Sequence, residues 1–347
     1  MSLRTYFRLF AHTQLLPILE SGEETLVGGQ AVMEGVMMRA PHSYCVAVRK
    51  KSGEITTEEM PLPRLSEQYK VFKYPVFRGV GTLFQAMSLG MKALKFSADV
   101  VMEDEAQEQA KKAAAAGAGG APAEPAKPKK SSKEVPAWAM AINIVISLGM
   151  FIVLNKLVPL TVATWLKGMY PAVFESRAAF NLADGVVRMA IFLAMMWALS
   201  LSKEFHRIFE YHGAEHKVVF NYESGKPVTV ENAQQFTTFH PRCGTSFLFV
   251  VILVSVVFYM FIPFDGFLPK LAARIALLLP IAGVSYELIR FAARRRGSLL
   301  ALLTAPGLWL QRITTKPPAD DQAAVAIHAL EGAMALEAKQ GGELVIA

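Results

Sequence analysis

Four apolar blocks stand apart from the rest of the chain: residues 137–160, 186–201, 245–263 and 270–290. That concentration of apolar residues in a few blocks points to a membrane protein. A bilayer core takes roughly 20 helical residues, so the second block, VVRMAIFLAMMWALSL, is short unless its helix runs past one end. The stretch that follows, SKEFHRIFEYHGAEHKVVF, has no proline and one glycine, which predicts a single rod continuing to His216. Pro280 predicts a kink in the fourth block.

Residues 25–65 have a different rhythm. SYCVAVRK and EITTEEM flank KSG, the arrangement of a β-hairpin, and the alternation of Val46 and Val48 with Ala47 and Arg49 is that of a half-buried strand. Residues 76–101 keep a helical period but carry Arg78, Lys92, Lys95 and Asp99, which predicts an amphipathic helix on the membrane surface. Residues 103–134, dominated by Ala, Gly, Pro and Lys, predict a flexible linker. SLLALLTAPGLWLQ is apolar but short, with Trp309 as an interfacial anchor, and PADDQAAVAIHALEGAMALEAK predicts a C-terminal helix. The opening MSLRTYFRLFAHTQLLPILE is broken by Arg4, Arg8 and His12, so an amphipathic or soluble helix is expected rather than a signal peptide.

The expected fold is a polytopic α-helical membrane protein of about four spans with a small cytoplasmic β-containing N-terminal region. Its expected parts are 1–102 (the β-region and amphipathic helix), 103–134 (linker), 135–310 (membrane domain, with a loop at 202–244) and 311–347 (cytoplasmic tail helix). Composition agrees: the chain is 53% hydrophobic with a net charge of +7, and its Lys and Arg gather beside the apolar blocks. Such clusters assign topology and bind anionic lipid, which makes the lipid bilayer the expected partner; no motif specifies a nucleic acid. KPKKSSK, Lys203, Arg207 and RFAARRR place both termini and loop 202–244 in the cytoplasm under the positive-inside rule. Two cysteines imply no disulfide framework and suit a reducing compartment. Few ionisable residues fall deep within the blocks, with Arg274 and Glu287 near the ends of the fourth, which argues against a carrier. A homo-oligomer is compatible with all of this.

The chemistry gathers in loop 202–244. In EYHGAEHK, His212 and His216 stand four apart, so on a helix both imidazoles point the same way and can share one zinc ion. Glu215 completes H-x-x-E-H, the inverted arrangement of metalloproteases, where a carboxylate serves as general base. HPRCGT adds His240 and Cys243 at the mouth of the third block, and PVTVENAQQF predicts a short helix that folds the two halves together. Four ligands, His212, His216, His240 and Cys243, would close a structural site; three would leave it open for catalysis. Glu34, Arg39 and Arg78 form a second polar set, either an anion or substrate contact or Glu–Arg pairing. His206 with Glu210, and His42 with Cys45, read as solvated or incidental pairs.

The motifs GGQAVMEGVMMR, FRG, EYHGAEHK and HPRCGTSF, together with the tail TTKPPADDQAAVAIHAL, resemble the YqhQ family of bacterial membrane proteins. That family has no known function and is commonly labelled as predicted metal-dependent enzymes. The resemblance covers most of the chain outside the linker and implies a metal at His212, His216, His240 and Cys243; it implies no substrate. The stretch 106–130 looks like an insertion relative to the family pattern. The expected activity is a metal-dependent hydrolase at the cytoplasmic membrane surface, with Zn2+ or another divalent transition metal as cofactor. A non-catalytic scaffold with a structural metal and a transporter or channel subunit are the alternatives.

Overall fold

The structure is a computed structural model that describes residues 27–63, 65–116, 137–240, 243–294 and 305–339. Four strands come first: β1 (Gly28–Val32), β2 (Gly35–Arg39), β3 (Ser43–Arg49) and β4 (Ile55–Pro61). The helices that matter here follow in order. They are α1 (Phe77–Ala116), α2 (Ala137–Ile152), α3 (Val158–Met169), α4 (Arg177–Ser200), α5 (Lys203–Glu223) and α6 (Val230–Gln234). The remainder are α7 (Gly244–Met260), α8 (Phe267–Ala276), α9 (Leu278–Arg294), α10 (Ala305–Thr314) and α11 (Asp320–Lys339). A π-helical turn, Val153–Leu157, joins α2 to α3. The reading of the first twenty residues and that of the linker beyond Ala116 lie outside the described residues.

The chain divides into two compact units. The first joins the described residues up to Met102 with Phe192–Ser255 and those from Leu278 onward. Its centre is an antiparallel sheet in the order β1-β2-β3-β4. The predicted hairpin is β3–β4, with Arg49 opposite Ile55. β1 and β2 are joined by the tight turn at Met33 and Glu34, where Glu34 adopts a left-handed backbone with φ 51°.

β3 is buried on both faces, not one as its alternation suggested. Tyr44, Val46 and Val48 pack with Leu89, Ala93 and Val100 of α1, while Cys45 and Ala47 pack with α5 and α11. The second face is lined with small side chains because α11 approaches closely: a Cβ on Gly332 would lie 2.6 Å from Cys45 Sγ. The tail helix is thus a wall of the core, with Val325, Ala329 and Leu330 buried against the sheet. Burying each such valine or leucine is worth about 1.5–3 kcal/mol.

The second unit comprises Glu103–Ile191 and Val256–Leu277. Two helical segments are long and apolar enough to cross a membrane, Val145–Met169 and Arg177–Ser200; α8 and α9 make a third if taken as one broken span. α7, with 17 residues, is apolar but shorter. The predicted rod from the second block to His216 does not form. That helix reaches its length by starting at Arg177, and the chain breaks at Leu201 and Ser202 before α5 begins. The predicted kink in the fourth block is the break at Leu277: Pro280 has no N–H to offer the Ala276 carbonyl four residues before it. α1 continues to Ala116, so residues 103–116 of the expected linker are helical. Its alanines and well-spaced Glu–Lys pairs, such as Glu108 with Lys112 at 2.7 Å, favour helix even without a buried face.

Glu337 ties α11 to the sheet. Its carboxylate accepts from the His42 backbone N–H at 2.9 Å and from the Ser43 hydroxyl at 2.8 Å, and it meets His42 Nδ1 at 2.9 Å. Burial works to raise its pKa, but these His42 and Ser43 contacts outweigh it and hold the carboxyl below the usual glutamate range. A depressed native pKa gives stability that is fully present above the unfolded value and is lost as pH falls through the native one. Glu337→Gln should cost about 3 kcal/mol near neutral pH, and the gap to wild type should narrow as melts are repeated at progressively acid pH. A gap independent of pH would contradict the assignment.

Candidate metal centre

α5 carries H-x-x-E-H through the core of the first unit, and its second half is almost wholly buried. A helix this polar is stable there only if each side chain finds a partner. His212 and His216 lie on one face, with ring centroids 4.4 Å apart. His212 Nδ1 meets the Thr314 carbonyl at 2.8 Å, and His216 Nδ1 makes a short hydrogen bond to the Thr238 carbonyl. A carbonyl can only accept, so each Nδ1 carries a proton and Nε2 is the nitrogen that bears the lone pair in the neutral ring. Metal-ligating imidazoles are oriented in this way.

Both carbonyls come from chain segments that dock on α5. The segment after α10 reaches the helix at Gly213, where Lys316 N–H bonds the Phe209 carbonyl at 2.9 Å. A Cβ at 213 would fall 2.0 Å from the Lys316 carbonyl oxygen, so only glycine lets the backbone close far enough for Thr314 to reach His212. The segment carrying Thr238 follows α6, the predicted short helix, which Thr229 caps by accepting from the Asn232 N–H at 3.2 Å.

Cys243 stands immediately before α7, with Sγ 3.3 Å from His212 Nε2 and 3.1 Å from the Thr245 hydroxyl. One donor atom each from His212, His216 and Cys243 lie within 4.8 Å of one another. Tetrahedral zinc with bonds of about 2.0–2.3 Å places its donors roughly 3.3–3.7 Å apart, a spacing that the Cys243–His212 pair already has and that the trio can reach by closing in. Burial alone would raise the Cys243 thiol, but the adjacent His212 and His216 rings bring it well below its ordinary value. Burial likewise opposes charge on His212, yet the Cys243 sulfur, Glu215 and the Thr314 carbonyl raise it to about 9. Both shifts favour the proton on His212 Nε2 over Cys243 Sγ when no metal is bound. A metal must displace that proton, so affinity falls as pH falls.

His240 does not join the trio. Its ring is tilted at 60° against Phe220, with centroids 4.5 Å apart, and lies 5.5 Å from the His216 ring; its Nε2 faces Glu223 Oε2 at 3.6 Å. Its backbone is clamped by Gln311, which accepts from the His240 N–H and donates to the His240 carbonyl, each at 2.7 Å. Of the four expected ligands, the geometry groups His212, His216 and Cys243, with His240 next to them rather than among them. Glu215 takes a place beside the trio: Oε2 lies 3.5 Å from His216 Nε2, the side chain is 6% exposed, and its Cγ packs on the Gly29 backbone of β1.

The second polar set is dispersed. Glu34 forms a two-pronged pair with Arg207, Nη2 to Oε2 at 2.6 Å, and accepts from the Tyr211 hydroxyl at 3.3 Å. Arg78 pairs with Glu287, Nε to Oε1 at 2.7 Å. Arg39 sits at the far end of β2, opposite Gly28. Glu–Arg pairing holds for two of the three, with partners distant in sequence, and the set forms no common anion site. His42 and Cys45 stay apart from the trio, as expected: His42 binds Glu337, and Cys45 faces Gly332. His206 pairs with Glu210 at 3.6 Å on the outer part of α5.

Thr238, Gln311, Thr314 and Glu223 escaped the sequence reading because they act through backbone carbonyls or as buried partners, which no spacing records. Gly213, inside an otherwise glycine-free helix, was the one available signal. Gly213→Val should lower stability by about 3 kcal/mol or more through the clash with Lys316. A melting temperature equal to wild type would show that the segment after α10 does not dock there.

Residues 74–336 match the family described as "Protein of unknown function (DUF1385)". The chain is 32% identical over 316 residues to the uncharacterized protein YqhQ of Bacillus subtilis (strain 168), covering 90% of this chain and 93% of that one. No solved structure matches it. With both the family match and the YqhQ alignment running through EYHGAEHK and HPRCGT, the chain belongs to the YqhQ (DUF1385) family.

Proposed function

We propose that this chain is a zinc-dependent hydrolase of the bacterial inner membrane, acting on a peptide, lipid or phosphoester at the cytoplasmic surface. The observation that carries the reading is the three-donor set with His240 held elsewhere. His212 Nε2, His216 Nε2 and Cys243 Sγ would hold the ion, and three protein ligands are the number found where a fourth position serves substrate or water. When bound, zinc supplies Lewis acidity toward a water or substrate oxygen. The Thr314 and Thr238 carbonyls hold both rings in the ligating tautomer. Glu215 Oε2 takes the proton of the attacking water and returns it to the leaving group.

The membrane part of the proposal is four passes: α2 through α3, α4, α7, and α8 with α9. Both termini and the sheet unit lie in the cytoplasm. The apolar lengths of two of these segments support it, as does the placing of KPKKSSK, Lys203, Arg207 and RFAARRR. The burial of His216 and Glu215, at 2% and 6% exposed, favours a second reading. In that reading the metal is structural and fastens α5 to the start of α7 in a non-catalytic scaffold.

Elemental analysis with melting curves separates the two. Wild type should purify with about one zinc per chain. His212→Ala, His216→Ala and Cys243→Ser should lose it, and His240→Ala should keep it. Glu215→Gln should keep both the metal and a melting temperature near wild type while abolishing turnover of whichever ester, amide or phosphoester wild type cleaves. No metal in freshly purified wild type, or loss in His240→Ala as complete as in His216→Ala, would contradict the open three-ligand site. Full function in Glu215→Gln would leave the structural reading.

A further inference from the structure

The second unit buries a charged cluster that its apolar sequence blocks conceal. Asp184, Arg188, Arg274, Lys156 and Asn181 are each at most 5% exposed, around a buried Tyr259. Arg188 and Arg274 take one oxygen each of the Asp184 carboxylate, Arg274 through Nη1 at 2.5 Å. Arg274 Nη2 donates to Asn181 Oδ1 at 2.9 Å, and Lys156 Nζ donates to the Tyr259 hydroxyl at 2.7 Å. Both guanidinium carbons and the Lys156 ammonium lie 4.6 to 5.4 Å from the centre of the Tyr259 ring. Lys156 falls within the apolar segment Val145–Met169, and Asp184 and Arg188 within Arg177–Ser200.

The cluster is rich in donors and poor in acceptors. Three basic side chains face one carboxylate, both of whose oxygens are already used. Arg274 Nε is fully buried with no hydrogen-bond partner among the described residues. Two further donors remain: the Tyr259 hydroxyl proton, since that oxygen accepts from Lys156, and the unused Lys156 N–H bonds. An excess of buried positive charge among apolar helices is costly unless something anionic balances it.

The backbone around the cluster is irregular at two points. Lys156 lies within the π-helical turn Val153–Leu157, near the middle of the segment Val145–Met169. Arg274 lies near the end of α8, where the helix breaks at Leu277. Interrupted helices and π-turns within apolar spans are where membrane proteins build ligand sites.

We propose that this cluster binds a phosphate-type oxyanion within the membrane domain, through Arg274, Lys156 and Tyr259, with Asp184 and Asn181 holding the guanidinium groups in place. Guanidinium and ammonium groups together suit a tetrahedral anion with several acceptor oxygens. The source is either free phosphate or the headgroup of a phospholipid. The site shares no residue with the His–Cys centre and does not depend on a metal there.

The test uses full-length protein in detergent. Binding of inorganic phosphate is measured by calorimetry at constant ionic strength. Binding of phosphatidylglycerol, against the phosphate-free lipid digalactosyldiacylglycerol, is measured by native mass spectrometry. Wild type should bind phosphate or prefer the phospholipid, and whichever it binds identifies the source. Lys156→Met, which removes a cation but fits an apolar span, should weaken that binding about tenfold or more, as should Arg274→Gln if it folds; His216→Ala should leave it unchanged. Wild type that binds neither phosphate nor phospholipid selectively would overturn the proposal, leaving a structural ion-pair network. Binding undiminished in Lys156→Met would overturn it equally.

Discussion

Two backbone carbonyls, those of Thr314 and Thr238, accept from the Nδ1 positions of His212 and His216, and the rest of the first unit is arranged so that they can. An imidazole with a fixed tautomer is a different chemical object from one free to turn. Its lone pair has an address, and here the lone pairs of both rings are directed toward Cys243 Sγ. The cost is that two chain segments far apart in sequence must be docked on one helix face. Gly213 permits one docking, and Gln311 with α6 secures the other. The sheet and α11 enclose the same helix from its other sides, which explains why a tail that reads as an appendage is buried like core.

Local patterns in the chain foretold what depends on local physics. The β3–β4 hairpin, the apolar helices, the short helix α6 and the shared face of His212 and His216 all follow from periodicity and turn chemistry. Features set by tertiary contact were hidden. His240 and Cys243 sit three apart, yet one is a donor and the other is turned toward Phe220 and Glu223, because Gln311 fixes the backbone between α6 and α7. Spacing cannot count ligands. The continuous rod to His216 failed for a related reason. No residue at 201–202 forbids a helix, but α5 has to turn into the core to be clasped by the sheet.

The charged cluster of the second unit was missed by averaging. Arg188 lies inside the block VVRMAIFLAMMWALSL, where its neighbours keep the hydropathy high, and Asp184 and Lys156 sit close to the blocks' edges or within them. In lipid a single ionisable group weighs more than its share of a window average, because it must be paired or serve a ligand. Read residue by residue, Lys156, Asp184, Arg188 and Arg274 were visible; what the sequence did not reveal was that they converge on Tyr259.

X-ray absorption at the zinc edge of the purified protein tests the three-donor centre most directly, because it counts and types the ligands without knowing the substrate. One sulfur at about 2.3 Å with about three nitrogen or oxygen neighbours near 2.0 Å is the result predicted, and it should be unchanged in His240→Ala. A spectrum without sulfur, or one in which His240→Ala removes a histidine from the shell, would contradict it.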